Sequence, residues 1–248
     1  AKTQDTDTGW ILNNYSKIER KIPMRDGIKL FTSIYIPGDT LSDHPILITR
    51  TPYSCEPYGE NQFGDFIEGY RTAYFKEKYI MVIQDVRGRW MSEGEFVDVR
   101  PFNPDKKGTE TDEASDTYDC IEWLVKNIPH NNGKVGVYGI SYPGFYSTMA
   151  AASNHPALKA VSPQAPVTNW FIGDDFHHNG VFFEMDGFDF YVAGGFGRPH
   201  PKPTMTGPEP LKYYTHDNYK FYLETGPLSN LAKYAGDSIK FWKDLYSH

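Results

Sequence analysis

Apolar and polar positions recur with clear periods over the first part of the chain and lose them beyond about Val167. Two strand-like runs, KIERKIPM and IKLFTSIYIP, flank Arg25-Asp26-Gly27, and Asp-Gly between such runs predicts a β-hairpin. Thr32, Ile34 and Ile36 alternate with Ser33 and Tyr35, as one face of an antiparallel edge strand does. Short unbroken apolar runs at residues 45–49 and 80–84 predict strands buried in a parallel sheet. A helix-like segment lies between them, around residues 65–76. Residues 113–128 form the clearest helix, with Ala114, Tyr118, Ile121, Leu124 and Ile128 on one face and acidic residues in the first turn. From Lys134 the pattern reads strand, tight turn on Ser141, then helix, and residues 158–162 add a further strand. This alternation implies an α/β fold, a mostly parallel sheet with flanking helices and right-handed crossovers. Residues 1–14 read as a polar lead-in.

The later part is aromatic and irregular, with a proline-rich stretch at residues 198–210 and a partly helical pattern over residues 213–243. Its 248 residues give the chain enough length to bury a sizeable core. The net charge of −7 comes without a basic tract, which argues against a nucleic-acid partner. No apolar run approaches the roughly 18 residues of a membrane-spanning helix, so no membrane partner is expected. The 18 Tyr and 16 Phe favour a large pocket or a packed cap. Cys55 and Cys120 lack metal-ligand spacing, and Cys120 falls inside the predicted helix as a small core residue. The adjacent His177 and His178 read as ordinary packing or surface residues, and neither a metal nor a cofactor is assigned. A start at Ala1 followed by a polar segment is what removal of a signal peptide or a tag would leave. The expected location is periplasmic or secreted, and otherwise cytoplasmic.

Within GISYPG, Gly139 and Gly144 bracket Ser141 in a GxSxxG pattern, with Pro143 where GxSxG would place the nearer glycine. Such turns often only connect elements. Here Val135, Val137 and Tyr138 precede the turn, and Phe145, Tyr146, Met149 and Ala150 follow it at helical spacing. That context is the one in which a strained serine stands at a helix N-terminus as a nucleophile, with backbone N–H groups beside it. Pro143 falls in the first helical turn, where its missing N–H costs nothing.

Four motifs in order, MRDGIKL, RTPY, DVRGR with SEGEF, and GISYPG, resemble the α/β-hydrolases related to cocaine esterase. GDDFHHNG is most similar to the α-amino-acid ester hydrolases and the glutaryl-cephalosporin acylase-like proteins, with X-prolyl dipeptidyl aminopeptidases more distant. The resemblance runs from about Ile18 onward. It implies residues 1–167 as the N-terminal part of an α/β-hydrolase core and residues 168–248 as the start of an inserted helical cap. It makes Ser141 the nucleophile, the Tyr142 backbone N–H one oxyanion donor and the Tyr53 hydroxyl the second. Asp175 matches an aspartate of the carboxylate cluster that grips a substrate's α-ammonium group, and a solvated or helix-capping Asp174-Asp175 pair is the alternative. Asp85, Arg87 and Arg89 match a family signature read as structural, an ion pair and hydrogen bonds that fix loops under the elbow.

A serine hydrolase of this fold orders its triad Ser, then Asp or Glu, then His. His155, His177, His178, His200, His216 and His248 follow Ser141, and none follows a recognisable strand carrying an acid. The triad acid and base, and a later β-sandwich domain, are expected in a C-terminal part of the same protein. The isolated chain is then expected to be inactive. The function read from the sequence is a serine esterase or acylase for α-amino-acid esters or β-lactam side chains, with a small-molecule ester or amide as substrate. The alternatives are an X-Pro dipeptidyl aminopeptidase, a simple carboxylesterase, or a noncatalytic fragment. The sequence leaves a homo-oligomer open.

Overall fold

The structure, a computed structural model, describes residues 7–169, 175–193, 196, 203–207, 217–235 and 239–246. Asp174, His200, His216 and His248 lie outside the described residues, as do residues 1–6 and most of the proline-rich stretch. The chain divides into two compact units, Ala1–Pro166 and Val167–His248.

The first unit is organised by a six-stranded sheet of β1 (Tyr15–Pro23), β2 (Lys29–Pro37), β3 (His44–Thr51), β4 (Ile80–Asp85), β5 (Asn131–Ile140) and β6 (Leu158–Gln164). Their order is β1-β2-β4-β3-β5-β6. The last four are parallel, and the β1–β2 hairpin is added antiparallel alongside β4. Four helices accompany the sheet: α1 (Asp7–Asn14), α2 (Arg71–Lys76), α3 (Glu113–Asn127) and α4 (Tyr142–Ser153).

The period of two along each strand sends alternate side chains into two cores. Ile46, Ile48, Ile80, Val82, Val135 and Val137 pack with Cys120, Ile121 and Leu124 of α3 and Ala150 of α4. Phe31, Tyr35, Met81, Ile83 and Tyr138 pack with Ile11 of α1, Phe66 and Phe75. Each buried aliphatic or aromatic side chain contributes roughly 1.5–3 kcal/mol, and the layering is the α/β arrangement that the alternation predicts.

Several boundaries differ from the sequence expectation. Part of the polar lead-in is helix α1: Ile11 is fully buried in the aromatic core and Trp10 packs against that core, although Asp7, Thr8, Asn13 and Asn14 are polar. β2 is not an edge strand: β1 takes that place, and Thr32, Ser33, Ile34 and Tyr35 are all buried. The segment 65–76 is a short 3-10 turn (Asp65–Ile67) and α2, interrupted at Glu68-Gly69-Tyr70. β5 starts at Asn131 rather than Lys134.

The second unit contains the short hairpin β7 (His177–His178) and β8 (Val181–Phe182), then α5 (Glu184–Phe188), α6 (Asn218–Thr225), α7 (Ala232–Ala235) and α8 (Lys240–Tyr246). Its aromatic content goes into ring packing. Phe188 is fully buried, with ring centroids of Phe221, Tyr222, Tyr234 and Trp242 between 5.5 and 6.2 Å away.

Candidate active site

Parallel pairing brings the ends of β3, β4 and β5 to one edge of the sheet, with Thr51 opposite Asp85 and Ile48 opposite Val137. Loops leaving the carboxyl ends of parallel strands are where open α/β sheets place ligands. Three such loops meet here: 52–58 after β3, 86–108 after β4, and the single residue Ser141 after β5.

Ser141 joins β5 to α4 at φ 61° and ψ −121°, a conformation that costs a non-glycine residue strain. Its N–H donates to the Gln164 carbonyl of β6 at 2.9 Å, and its carbonyl accepts the first bond of α4 from the Phe145 N–H at 3.1 Å. The side chain is exposed. The two glycines of GISYPG are explained by close approach. A Cβ on Gly139 would lie 2.1 Å from the Pro143 carbonyl oxygen, and one on Gly144 would lie 2.6 Å from the Gln164 carbonyl oxygen. In this turn the second glycine is needed at Gly144, where the helix meets β6, which accounts for the spacing GxSxxG. Pro143 sits in the first turn of α4, as expected.

Tyr142, the first residue of α4, has its N–H among the amides that a helix start leaves outside the helical ladder. Its side chain is buried and held from two sides. The phenol donates to Asp98 Oδ1 at 2.5 Å and accepts from the Val99 N–H at 2.8 Å. Burial raises its pKa well above the usual phenol value, so it stays a donor. Val99, at φ 37°, is a β-branched residue in a backbone region such residues avoid. The ring of Tyr142 stacks on Tyr146 at 5.3 Å, and the Arg50 guanidinium lies 5.6 Å from the Tyr146 ring.

Tyr53 is 44% exposed, and its ring meets that of Tyr142 edge to face at 6.3 Å. The backbone around it is tethered on both sides. The Pro52 carbonyl accepts from Arg89 Nε at 2.9 Å and from Trp90 Nε1 at 2.8 Å. The Tyr53 N–H donates to Thr51 Oγ1 at 3.0 Å. On the far side, Asp85 Oδ1 accepts the Cys55 N–H at 2.8 Å, and its Oδ2 accepts the Tyr58 hydroxyl at 2.9 Å and the Met91 N–H at 3.2 Å. Asp85 is fully buried, and that burial pushes its pKa up to about 6. Burial also lowers the pKa of Arg89.

DVRGR does fix loops, but Arg87 does not pair with Asp85. It forms a two-pronged bond with Asp116 of α3, at 2.7 and 2.9 Å, and also binds Asp26 of the β1–β2 turn at 2.7 Å. Fully buried Arg50 donates to Gln84 and Thr117 and pairs with Glu113 Oε2 at 3.0 Å, tying the first turn of α3 to the middle of the sheet. The acidic first turn of α3, which reads in the sequence as a helix-start signal, is thus the anionic side of a buried ion network.

Ser141, Tyr142 and Tyr53 come together in the first unit, whereas Asp175 lies in the second unit, exposed and just ahead of β7. Among the described residues of the first unit the histidines have other neighbours. His44 meets the Asp39 carbonyl at 3.0 Å, His130 faces Asp43 at 3.9 Å, and buried His155 meets Glu122 Oε2 at 3.0 Å. Sequence reasoning missed Asp98, Val99, Trp90 and Arg50. Only Arg50 carried a signal, as a charge inside an apolar strand.

The family model for X-Pro dipeptidyl-peptidase (S15 family) matches residues 26–246. Cocaine esterase of Rhodococcus sp. (strain MB1 Bresler) is 32% identical over 155 residues, which cover 60% of this chain and 24% of that protein. The solved aminopeptidase from a marine sediment archaeon, Thaumarchaeota archaeon, is similar with a TM-score of 0.81 and 36% identity, over 96% of this chain and 38% of that one. An α-amino acid ester hydrolase structure gives a TM-score of 0.79 and 35% identity, over 96% and 38%. The chain therefore spans about a quarter of the curated relative and well under half of the two solved chains.

Proposed function

Because this chain belongs to the X-Pro dipeptidyl-peptidase (S15) family, we propose that it supplies the nucleophile and the oxyanion hole of a serine hydrolase. The observation that carries this reading is Ser141 itself, an exposed serine held in a strained conformation between a parallel strand and the N-terminus of a helix.

In the proposed reaction Ser141 Oγ attacks the carbonyl carbon of an ester or amide, and its proton passes to a general base. The carbonyl oxygen becomes an oxyanion that accepts hydrogen bonds from the Tyr142 N–H and the Tyr53 hydroxyl, each such donor being worth about 3 kcal/mol. Collapse of the tetrahedral intermediate breaks the bond to the leaving alcohol or amine, which takes a proton from the base and leaves an acyl-enzyme on Ser141. Water, or another acyl acceptor, then attacks the acyl-enzyme by the same route. The first unit offers no histidine beside Ser141 among its described residues, so the base is assigned outside that unit.

We read the substrates as α-amino-acid esters or β-lactam side chains, a reading supported by the likeness to the α-amino acid ester hydrolase. Here the second unit supplies the start of a cap, and Asp175 contributes to a carboxylate cluster that selects an α-ammonium group. The family description and the likeness to an aminopeptidase favour a second reading, release of dipeptides from X-Pro peptides. The likeness to cocaine esterase favours a simpler carboxylesterase.

The test is labelling with a fluorophosphonate, followed by a substrate panel. Labelling of Ser141 that is lost in Ser141→Ala is the expected result, and unchanged labelling of the variant would exclude the nucleophile. Faster turnover of α-amino acyl esters than of their des-amino analogues, with the preference lost in Asp175→Asn, supports the first substrate reading. Preferential cleavage of X-Pro peptides supports the second.

A further inference from the structure

We propose that Asp85 is a positioning residue of the oxyanion hole, its buried carboxylate holding the turn that presents the Tyr53 hydroxyl. The inference rests on the reading of Tyr53 as an oxyanion donor and names what orients that donor.

Tyr53 is 44% exposed, and its ring meets that of Tyr142 edge to face. Where its hydroxyl stands also depends on the backbone that carries it. That backbone is fixed at two points, the Pro52 carbonyl before it and the Cys55 N–H after it. Between them Ser54 is held at φ 109°, a region that a residue with a Cβ rarely adopts and keeps only when its surroundings impose it. Asp85 is common to both points. Directly, it accepts the Cys55 N–H and, through the Tyr58 hydroxyl, anchors the end of the same loop; that hydroxyl also lies 2.9 Å from Ser54 Oγ. Indirectly, it accepts the Met91 N–H, next to the Trp90 and Arg89 side chains that grip Pro52.

Two further contacts make Asp85 a rigid reference. It is the last residue of β4, opposite Thr51 of β3, and its own carbonyl accepts the Ser92 hydroxyl at 2.6 Å. Ser92 Oγ in turn accepts the Phe31 N–H of β2 at 2.8 Å. The carboxylate therefore refers the Tyr53 turn to three strands of the sheet. Three N–H or O–H donors converge on it, and an ionised carboxylate can serve all of them because it only accepts. An amide at this position presents one acceptor and one donor, so at least one tether is lost.

A double-mutant cycle in the full-length enzyme tests this, with kcat and KM measured on an activated ester. Tyr53→Phe is expected to lower kcat about 100-fold. Asp85→Asn is expected to lower kcat by roughly 10- to 100-fold with KM changed by less than about threefold, since the affected donor acts only in the transition state. The decisive prediction is non-additivity: Tyr53→Phe with Asp85→Asn falls within about threefold of Tyr53→Phe alone, because the carboxylate acts through a hydroxyl already removed. A double variant whose losses multiply would overturn the proposal, since Asp85 would then support folding in general. If Asp85→Asn does not fold, Tyr58→Phe removes one tether and keeps the ring. It is expected to lower kcat several-fold in the parent enzyme and to leave kcat of the Tyr53→Phe variant unchanged, and an equal loss in both would overturn the proposal. If Tyr53→Phe retains full kcat while Ser141→Ala is inactive, Tyr53 is no oxyanion donor and the proposal falls with it, while the nucleophile stands.

Discussion

The Ser141 elbow and the Tyr53 loop reach the same edge of the sheet by opposite means. The elbow is held by packing: a strand and a helix approach so closely that Gly139 and Gly144 have no room for a Cβ, and the serine between them absorbs the strain. The Tyr53 loop is held by polar tethers to a carboxylate, a guanidinium and an indole. Packing is indifferent to pH and intolerant of volume, whereas a tether made by a buried charge tolerates volume and responds to protons. The two halves of the proposed site should therefore fail under different perturbations.

The sharpest way to break the elbow is Gly139→Ala. The added Cβ meets backbone atoms of Pro143, which cannot rotate away as a side-chain end can. A loss of about 3 kcal/mol or more, at the upper end of overpacking costs, is expected in chemical denaturation. It should be the same at every pH where the protein folds.

The Tyr53 side of the comparison has a pH signature. The Asp85 pKa is raised by burial from 3.8 to about 6, so its contribution to stability is fully present below about pH 4 and is lost as pH rises through about 6. That difference corresponds to something on the order of 3 kcal/mol. Urea midpoints of the parent and Asp85→Asn, compared from pH 4 to 7, should show the parent losing its relative advantage over that window. A parent that instead gains as pH rises would mean the carboxylate is stabilised in its charged form. The charge that orients the loop is thus one the fold would rather not carry, a local conflict of the kind expected at functional sites.

Trp90→Phe is the mildest of these changes. It removes one of two donors to the Pro52 carbonyl and leaves Arg89 in place. A cost of about 1 kcal/mol, the net value of one hydrogen bond, is expected in stability. If Trp90→Phe instead rivals Gly139→Ala, the loop is held by packing as well and the contrast is blunted.

Much of the frame was legible because strands buried on both faces leave contiguous apolar runs, as at β3 and β4, and because α3 repeats its apolar face over several turns. Ser141 was legible for a local reason, since strand, turn and helix all fall within one short stretch. What stayed hidden was long-range. Nothing near Asp98 announces that its carboxylate meets a phenol 44 positions later, nor does Arg50 reveal Glu113 63 positions away. DVRGR stood out as a motif, but only the folded chain shows that Arg87 turns to Asp116 and Asp26 while Asp85 serves the other loop. Helix α1 was missed because half of its eight residues are polar and Ile11 is the single one fully buried.

Among the described residues β5 is the one strand that pairs with β6, and Lys159 through Gln164 are exposed. A strand edge of this kind is a template on which a further strand, of the same chain or of another, can add. Lys159 and Pro163 are the two residues of β6 that oppose it, one by a charge that must shed its water and the other by lacking an N–H to donate. An apolar replacement at Lys159 removes that charge and should make the edge a readier template for a further strand.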